Sequence, residues 1–292
     1  MPGVAFVVNG SLVRGGGHLV ALCREAAKRH GWDADLLVTE KAEAGVSAAS
    51  GAALDGADLV VAVGGDGTVR GCAEGLAGTG VPLGIVPHGT ANLLARTLRL
   101  PGHPKAALAG ALGGGADRVI DLAVADGEPF TAMAGVGLDA AVVAGTKLKH
   151  QFGWLAYAMS GAMHLALAPA RVSLSLDGGV PIEREARSVV VGNSGLLPGG
   201  FSLLPNARLD DGLLDVGILA PHGPLGWPRL ATRVLTNSAH EDRMLERFQA
   251  RRIEITAGAL LPREVDGELI SPGHSLTVTV RPGALTMRVP RL

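Results

Sequence analysis

The stretch Asp58-Leu59-Val60-Val61-Ala62-Val63-Gly64-Gly65-Asp66-Gly67-Thr68 runs from unbroken apolar residues straight into a turn with almost no side chains. A short apolar run bounded by glycines reads as a fully buried strand. Glycine reaches backbone angles barred to other residues and lets a ligand approach the main chain closely. Successive exposed N–H groups in such a turn form a cradle for anions, phosphates above all. The one acid of the turn, Asp66, stands where a nucleotide-bound metal or a hydroxyl can be held. A strand, a glycine-rich acidic turn and then a helix is the layout of a nucleotide site in a parallel sheet.

Outward from this stretch, residues 4–8, 36–39 and 83–87 read as further strands. Residues 18–30, 44–54, 69–77 and 91–98 read as helices, with Gly31 as the stop of the first. This alternation implies a parallel sheet covered by helices on both faces. A second polar turn, Pro87-His88-Gly89-Thr90-Ala91-Asn92, follows the strand at 83–87. Consecutive parallel strands end on the same edge, so the two turns face one cleft. Thr68, Thr90 and Asn92 then supply hydroxyl and amide groups for a phosphate, ribose or base. Plain strand-to-helix turns also use glycine, and the chain has 43, so no single glycine decides the reading.

After Asp121 the texture changes. Residues 146–168 look helical, but beyond them alternating patterns dominate. Arg171-Val172-Ser173-Leu174-Ser175-Leu176 alternates polar and apolar, and Asp177-Gly178-Gly179 is a hairpin signal. Residues 188–192, 213–219, 252–256 and 275–281 read as more strands. The expected organisation is an α/β nucleotide domain over 1–122 and a β-rich domain over 123–284. The last strand, about 285–292, is free to return to the first domain.

Composition narrows the functional classes. The chain has 292 residues, 47 % hydrophobic and 18 % charged, with net charge −1, which fits packed cores and not disorder. No run of Lys or Arg offers the basic patch that a nucleic acid requires, so no nucleic-acid partner is expected. Cys23 and Cys72 lie far apart without metal-ligand spacing and read as small core residues of a reduced, cytoplasmic protein. The N-terminus reads as a first strand and not as a signal peptide. The longest apolar segment, residues 154–168, falls short of the roughly 20 residues of a membrane span. It reads as a buried amphipathic helix or as a lipid-facing one, and His164 within it as a packed histidine. Aromatic residues make up only 3 %, so an adenine ring would rest on backbone and aliphatic contacts.

Two acidic turns in the second half admit two readings each. Asp210-Asp211-Gly212 and Asp266-Gly267-Glu268 are ordinary hairpin turns, or they present carboxylates for metal binding and proton transfer.

Together these segments resemble the catalytic domain of the diacylglycerol kinase family, closest to its soluble bacterial lipid kinases and related to sphingosine kinases. The likeness runs through Gly64-Gly65-Asp66-Gly67-Thr68, Pro82-Leu83-Gly84-Ile85-Val86-Pro87-His88-Gly89-Thr90-Ala91-Asn92 and Val119-Ile120-Asp121-Leu122. It continues in Gly135-Val136-Gly137-Leu138-Asp139-Ala140, Gly199-Gly200-Phe201, Pro205-Asn206-Ala207-Arg208-Leu209-Asp210-Asp211-Gly212-Leu213-Leu214-Asp215 and Val265-Asp266-Gly267-Glu268. The first element alone is shared with NAD kinases. The resemblance implies an NAD-kinase-like parallel-sheet nucleotide domain, a β-rich, sandwich-like second domain, and an active site between them.

By the same resemblance, Asn9, Thr39, Gly64, Gly65, Asp66, Gly67, Thr68, Val69, Arg70, Gly71, Gly89, Thr90 and Asn92 belong to the ATP site. Arg96 and Asp121 match residues linked to activity, and Lys147 or Lys149 resembles a family lysine near the same cleft. Asp211, with the main-chain carbonyls of Arg208 and Leu213, matches a magnesium site apart from the magnesium that travels with ATP. Glu268 matches the general base, with Asp266 beside it or sharing the role. The implied activity is ATP-dependent phosphorylation of diacylglycerol or a related lipid, with transient peripheral contact at the inner membrane face. A kinase for a soluble acceptor such as NAD, and an inactive nucleotide- or lipid-binding relative, are the alternatives. The acceptor and the oligomeric state are not encoded in any motif. There are two departures from the family pattern: Arg70 and Gly71 replace its Asn-Glu, and Asn9 lacks the proline that usually follows it.

Overall fold

The computed structural model describes residues 1–14, 17–40, 42–137, 169–197, 201–223, 225–236 and 244–291. The chain divides into two compact units, one formed by Met1–Leu122 with Gly283–Leu292 and the other by Ala123–Pro282.

In the first unit, β1 (Gly3–Asn9), β2 (Asp33–Thr39), β3 (Leu59–Gly64) and β4 (Leu83–Pro87) form a parallel sheet in the order β4-β3-β1-β2. The strands alternate with α1 (Gly10–Arg14), α2 (His18–His30), α3 (Ala42–Leu54), α4 (Asp66–Leu76), α5 (Leu93–Thr97) and α6 (Pro104–Leu112). Every residue of β3 and β4 is buried, which is why both read as unbroken apolar runs. Val4, Phe6 and Val8 of β1 pack with Val20, Cys23, Ala26 and Ala27 of α2 and with Ala107, Leu108, Ala111 and Leu112 of α6. The α2 helix stops at Gly31, whose φ of 75° places it in the left-handed region that favours glycine. Helices α3 and α4 cross at small residues: a Cβ at Gly75 would overlap the carbonyl oxygen of Val46.

Two long strands carry the chain from one unit to the other. β5 (Ala116–Ala125) begins in the first unit, and β14 (Glu268–Val289) ends in it, with Met287 opposite Leu83 of β4 in a parallel pair.

The second unit is antiparallel. Its strands are β6 (Glu128–Phe130), β7 (Met133–Gly137), β8 (Ala170–Leu176), β9 (Ile182–Ala186), β10 (Ser188–Gly192), β11 (Leu214–Leu219), β12 (Leu245–Ala250) and β13 (Arg252–Val265). They order as β12-β11-β10-β7-β13-β14, with β8 and β9 continuing from β13 and β6 paired to β5. Inward residues such as Phe130, Val136, Leu174, Val189, Val216, Ile253 and Val278 form one core. A second core gathers around α7 (Gly226–Leu235), whose Trp227, Leu230, Ala231 and Val234 meet Leu203, Leu204 and Leu245.

Several boundaries differ from the sequence reading. α4 begins at Asp66 and not at Val69, because Gly65 is extended and the helix starts immediately after it. α6 and α7 carry prolines in their first turns, where no intrahelical N–H is needed, so the prolines open these helices and do not break them. The 146–168 helix reading, Lys147 and Lys149 lie outside the described residues. Among the described residues no helix is long and apolar enough to cross a membrane.

Candidate functional site

The carboxyl ends of the first unit's strands bring the expected nucleotide residues to one sheet edge. Asn9 pairs with Thr39 at the ends of β1 and β2, and Gly64 pairs with Pro87 at the ends of β3 and β4. Asn9 Oδ1 accepts the Ser11 N–H at 3.0 Å and the Ser11 hydroxyl at 2.6 Å, which shapes the turn into α1. Thr39 is buried, and Arg14 is ion-paired with Glu40 just beyond it.

The two glycine turns touch. His88 N–H donates to Gly64 O at 2.7 Å. A Cβ on Gly89 would stand 2.6 Å from Gly65 Cα, so both positions need bare backbone. A Cβ on Gly64 would overlap the buried Thr68 hydroxyl, so this side chain packs back onto the strand end. Asp66 opens α4, and its carboxylate accepts the N–H groups of Asn92 at 2.9 Å and Leu93 at 2.7 Å. Asn92 has φ 48°; its side chain accepts the Gly89 N–H at 2.9 Å and donates to Gly89 O at 2.8 Å. Both polar side chains therefore build the double turn. The first-turn N–H groups of α4 at Asp66, Gly67 and Thr68 have no intrahelical acceptor, as at any helix start, while Val69 N–H donates to Gly65 O. With the helix dipole they are donors of the kind that suit an anion.

Thr90 is exposed at this edge, and Arg70 is half-buried on α4. Arg96 is exposed, and its Nε–H donates to Ala91 O at 2.7 Å, bracing the second turn. Gly71 lies where α4 meets α3: a Cβ on Gly45 would stand 3.6 Å from Gly71 Cα. Asp121 is buried, and its Oδ1 accepts the Gly283 N–H at 2.8 Å.

In the second unit, Asp266 and Gly267 form the two-residue turn between β13 and β14, with φ values of 48° and 78°. Such values define the hairpin turn that Asp-Gly favours. The Asp266 carboxylate accepts N–H groups from Thr131 (2.9 Å), Ala132 (2.8 Å) and Met133 (3.1 Å) and the Thr131 hydroxyl (3.2 Å). Its own N–H donates to Met133 O at 2.8 Å. Asp266 is thus a clamp between the β13–β14 turn and the residues leading into β7. Glu268, two residues on, is exposed.

Sequence reasoning missed Glu264. Its side chain is 2 % exposed, and Oε2 accepts the Gly267 N–H at 2.7 Å. In the sequence it stands beside Arg263, and no signal there marks it as buried.

The Asp210-Asp211-Gly212 turn carries Gly212 at φ 72°. Asp211 is exposed, and its Oδ1 accepts the Leu213 N–H at 3.0 Å. Arg208 Nε lies 3.5 Å from Asp210. Burial raises the pKa of Asp215; the Gln249 side chain, 3.2 Å away, opposes that shift, and the negative charge of Asp211 adds to it. The Arg247 charge counters that of Asp211 at Asp215. Hard oxygen donors suit a divalent cation, so Asp211 with the Arg208 and Leu213 carbonyls offers donors of the kind magnesium takes. Among the described residues no group of three or more His, Cys, Asp or Glu side chains is placed to hold a metal, so such a site would depend on main-chain and water ligands.

Comparison with known proteins matches residues 4–125 to the diacylglycerol kinase catalytic domain. Residues 132–289 match the YegS C-terminal NAD kinase beta sandwich-like domain. A Pseudomonas fluorescens Pf-5 protein named "Probable lipid kinase YegS-like" is 35 % identical over 91 % of this chain and 89 % of its own length. The protein named diacylglycerol kinase in Bacillus subtilis is 30 % identical over 82 % of this chain and 80 % of its own. In fold, the chain is similar to a crystal structure of a diacylglycerol kinase from Bacillus anthracis, with TM-score 0.70, 23 % identity and coverage of 98 % of this chain and 96 % of that one. The fold and the matches define a protein of the kinase class, with a parallel-sheet α/β first unit and a β-rich second unit that matches an NAD kinase beta sandwich-like domain. The chain belongs to the diacylglycerol kinase catalytic-domain family, in its YegS-like branch.

Proposed function

We propose that the protein is an ATP-dependent lipid kinase that transfers the γ-phosphate to the hydroxyl of diacylglycerol or a related lipid. The observation that carries this reading is the fused glycine double turn at the first unit's sheet edge, joined through Asp66, in a chain whose relatives are named lipid kinases.

The first-turn N–H groups of α4 and the Gly89-Thr90 turn hold the phosphates, and Asn9 and Thr39 border the nucleotide. Arg96 braces this edge through the Ala91 carbonyl, and Asp121, matched by the resemblance to a residue linked to activity, holds the Gly283 N–H. Glu268 accepts the proton of the acceptor hydroxyl as its oxygen bonds to the γ-phosphorus; the bond to the β-phosphate oxygen breaks and ADP leaves. A hydroxyl is a poor nucleophile until a base in hydrogen-bond reach takes its proton. Positioning and charge neutralisation supply most of the acceleration in phosphoryl transfer. Magnesium bound by Asp211 and the Arg208 and Leu213 carbonyls would order the neighbouring acids, and a second magnesium would accompany ATP. The enzyme works at the cytoplasmic membrane face by transient contact.

The test is incubation with magnesium, γ-labelled ATP and a total lipid extract, followed by identification of the product. Label in a phosphorylated hydroxylipid is expected. Label only in a water-soluble acceptor such as NAD would replace this reading with a soluble-acceptor kinase. Tight ATP binding without transfer to either would indicate a binding relative.

A further inference from the structure

We propose that Glu264 is a positioning residue for phosphoryl transfer: its buried carboxylate fixes the main chain at Gly267 and so sets where the Glu268 carboxylate stands. The inference rests on the lipid-kinase reading above for its activity readout.

In a two-residue hairpin turn, the N–H groups of both central residues point away from the ladder and need partners elsewhere. Here Asp266 N–H donates to Met133 O, and Gly267 N–H donates to Glu264 Oε2 at 2.7 Å. Glu264 is 2 % exposed, and its other oxygen, Oε1, stands 3.7 Å from where a Cβ on Gly135 would lie, so the carboxylate is packed against β7. Burying a carboxylate is costly unless it is hydrogen-bonded. An acceptor oxygen held in this buried position 2.7 Å from the Gly267 N–H fixes that amide in place. Gly267 directly precedes Glu268, and Val265 pairs with Glu268 across the turn. Asp266 pins the turn to residues 131–133, and Glu264 pins its other half. Glycine at 267 is otherwise free to rotate, so Glu264 restrains the most flexible link beside the proposed base.

The test compares Glu264→Gln, Glu264→Asp and Glu264→Ala. Gln keeps an acceptor oxygen at the same reach; Asp keeps the charge but is one methylene short. A misplacement of about 1 Å at a reacting group can cost on the order of 100-fold in rate. The expected result is a fall in kcat of about 10–100-fold for Asp and Ala, with KM for ATP unchanged and with Gln recovering most of the rate. Amide hydrogen exchange at residues 266–268, which needs no activity, is expected to accelerate in Asp and Ala but not in Gln. Should the Ala variant fail to fold, the Asp and Gln pair carries the comparison. Undiminished kcat in Asp, or equal losses in Gln and Asp, would overturn the proposal. Unchanged exchange in Asp would overturn it too. A wild-type protein that labels no lipid would sink the lipid-kinase reading instead, leaving the exchange result to stand on its own.

Discussion

Asp66 Oδ2 accepts the main-chain N–H of Asn92 at 2.9 Å, across 26 residues of chain. With the Leu93 N–H on its other oxygen, one carboxylate ties the start of α4 to the start of α5. The acid of the glycine motif is therefore the bolt that holds the two glycine turns in register.

Replacing Asp66 with Ala removes two charge-assisted hydrogen bonds and leaves two main-chain donors half-buried. A loss of about 2–4 kcal/mol is expected. Asp66→Asn should lose less, because one acceptor oxygen survives. Thermal unfolding reads the first effect, and calorimetric titration with ATP should show weakened binding in both variants. An unchanged Tm for Asp66→Ala would contradict the bolt.

Gly89→Ala puts a methyl group 2.6 Å from Gly65 Cα, and backbone on both sides cannot yield. Overpacking of this kind costs about 1–3 kcal/mol. The KM for ATP should rise as the turns part. Gly51→Ala is the control: it lies within α3 with nothing within 4 Å of the new Cβ, and a gain of about 0.5–1 kcal/mol is expected. Equal effects at the two positions would remove steric fit as the reason for glycine at 89.

Asp266 and Glu268 should separate by stability. Asp266→Asn turns an amide NH2 toward a carboxylate seat lined by three main-chain donors, so Tm should fall by several degrees, equivalent to about 2–3 kcal/mol. Glu268→Gln alters an exposed side chain and should leave Tm within about 0.5 kcal/mol of the parent. Urea or thermal denaturation of the two variants decides this; matched losses would return Asp266 to equal standing with Glu268.

Cys23 and Cys72 are wholly buried, and burial pushes both thiols from 9.0 up to about 12. Because the folded pKa exceeds the unfolded one, their contribution is complete below pH 9 and drains away as pH climbs toward 12. Stability should decline through that window, and the double replacement Cys23→Ala with Cys72→Ala should flatten the decline. At pH 8 neither thiol should react with a disulfide reagent until the protein is denatured. Rapid modification of the native protein would refute their burial.

How much of this was legible follows from where each signal lives. Buried parallel strands write themselves as apolar runs, so β3, β4 and the turns after them could be read directly, and Gly31 marked the end of α2. The helices α6 and α7 escaped because proline in a first turn looks like a break when the helix is not yet known. The roles of Asp66 and Asn92 were only half legible. Their polar side chains pointed to a ligand, whereas their partners are main-chain groups 26 residues apart or within their own turn. Glu264 was invisible for a related reason: only tertiary packing against β7 takes it out of water. Asp266 and Glu268 stand two apart in a shared motif, and the motif alone does not say which of them binds backbone and which is exposed.

The central claim is that Glu268 takes the acceptor's proton while the glycine double turn holds ATP. Steady-state turnover of Glu268→Gln on the lipid labelled by the parent protein, measured beside its ATP dissociation constant, tests it most directly. A fall in kcat of at least about 100-fold, with ATP affinity within twofold, is the expected result. Parental turnover in Glu268→Gln would contradict it.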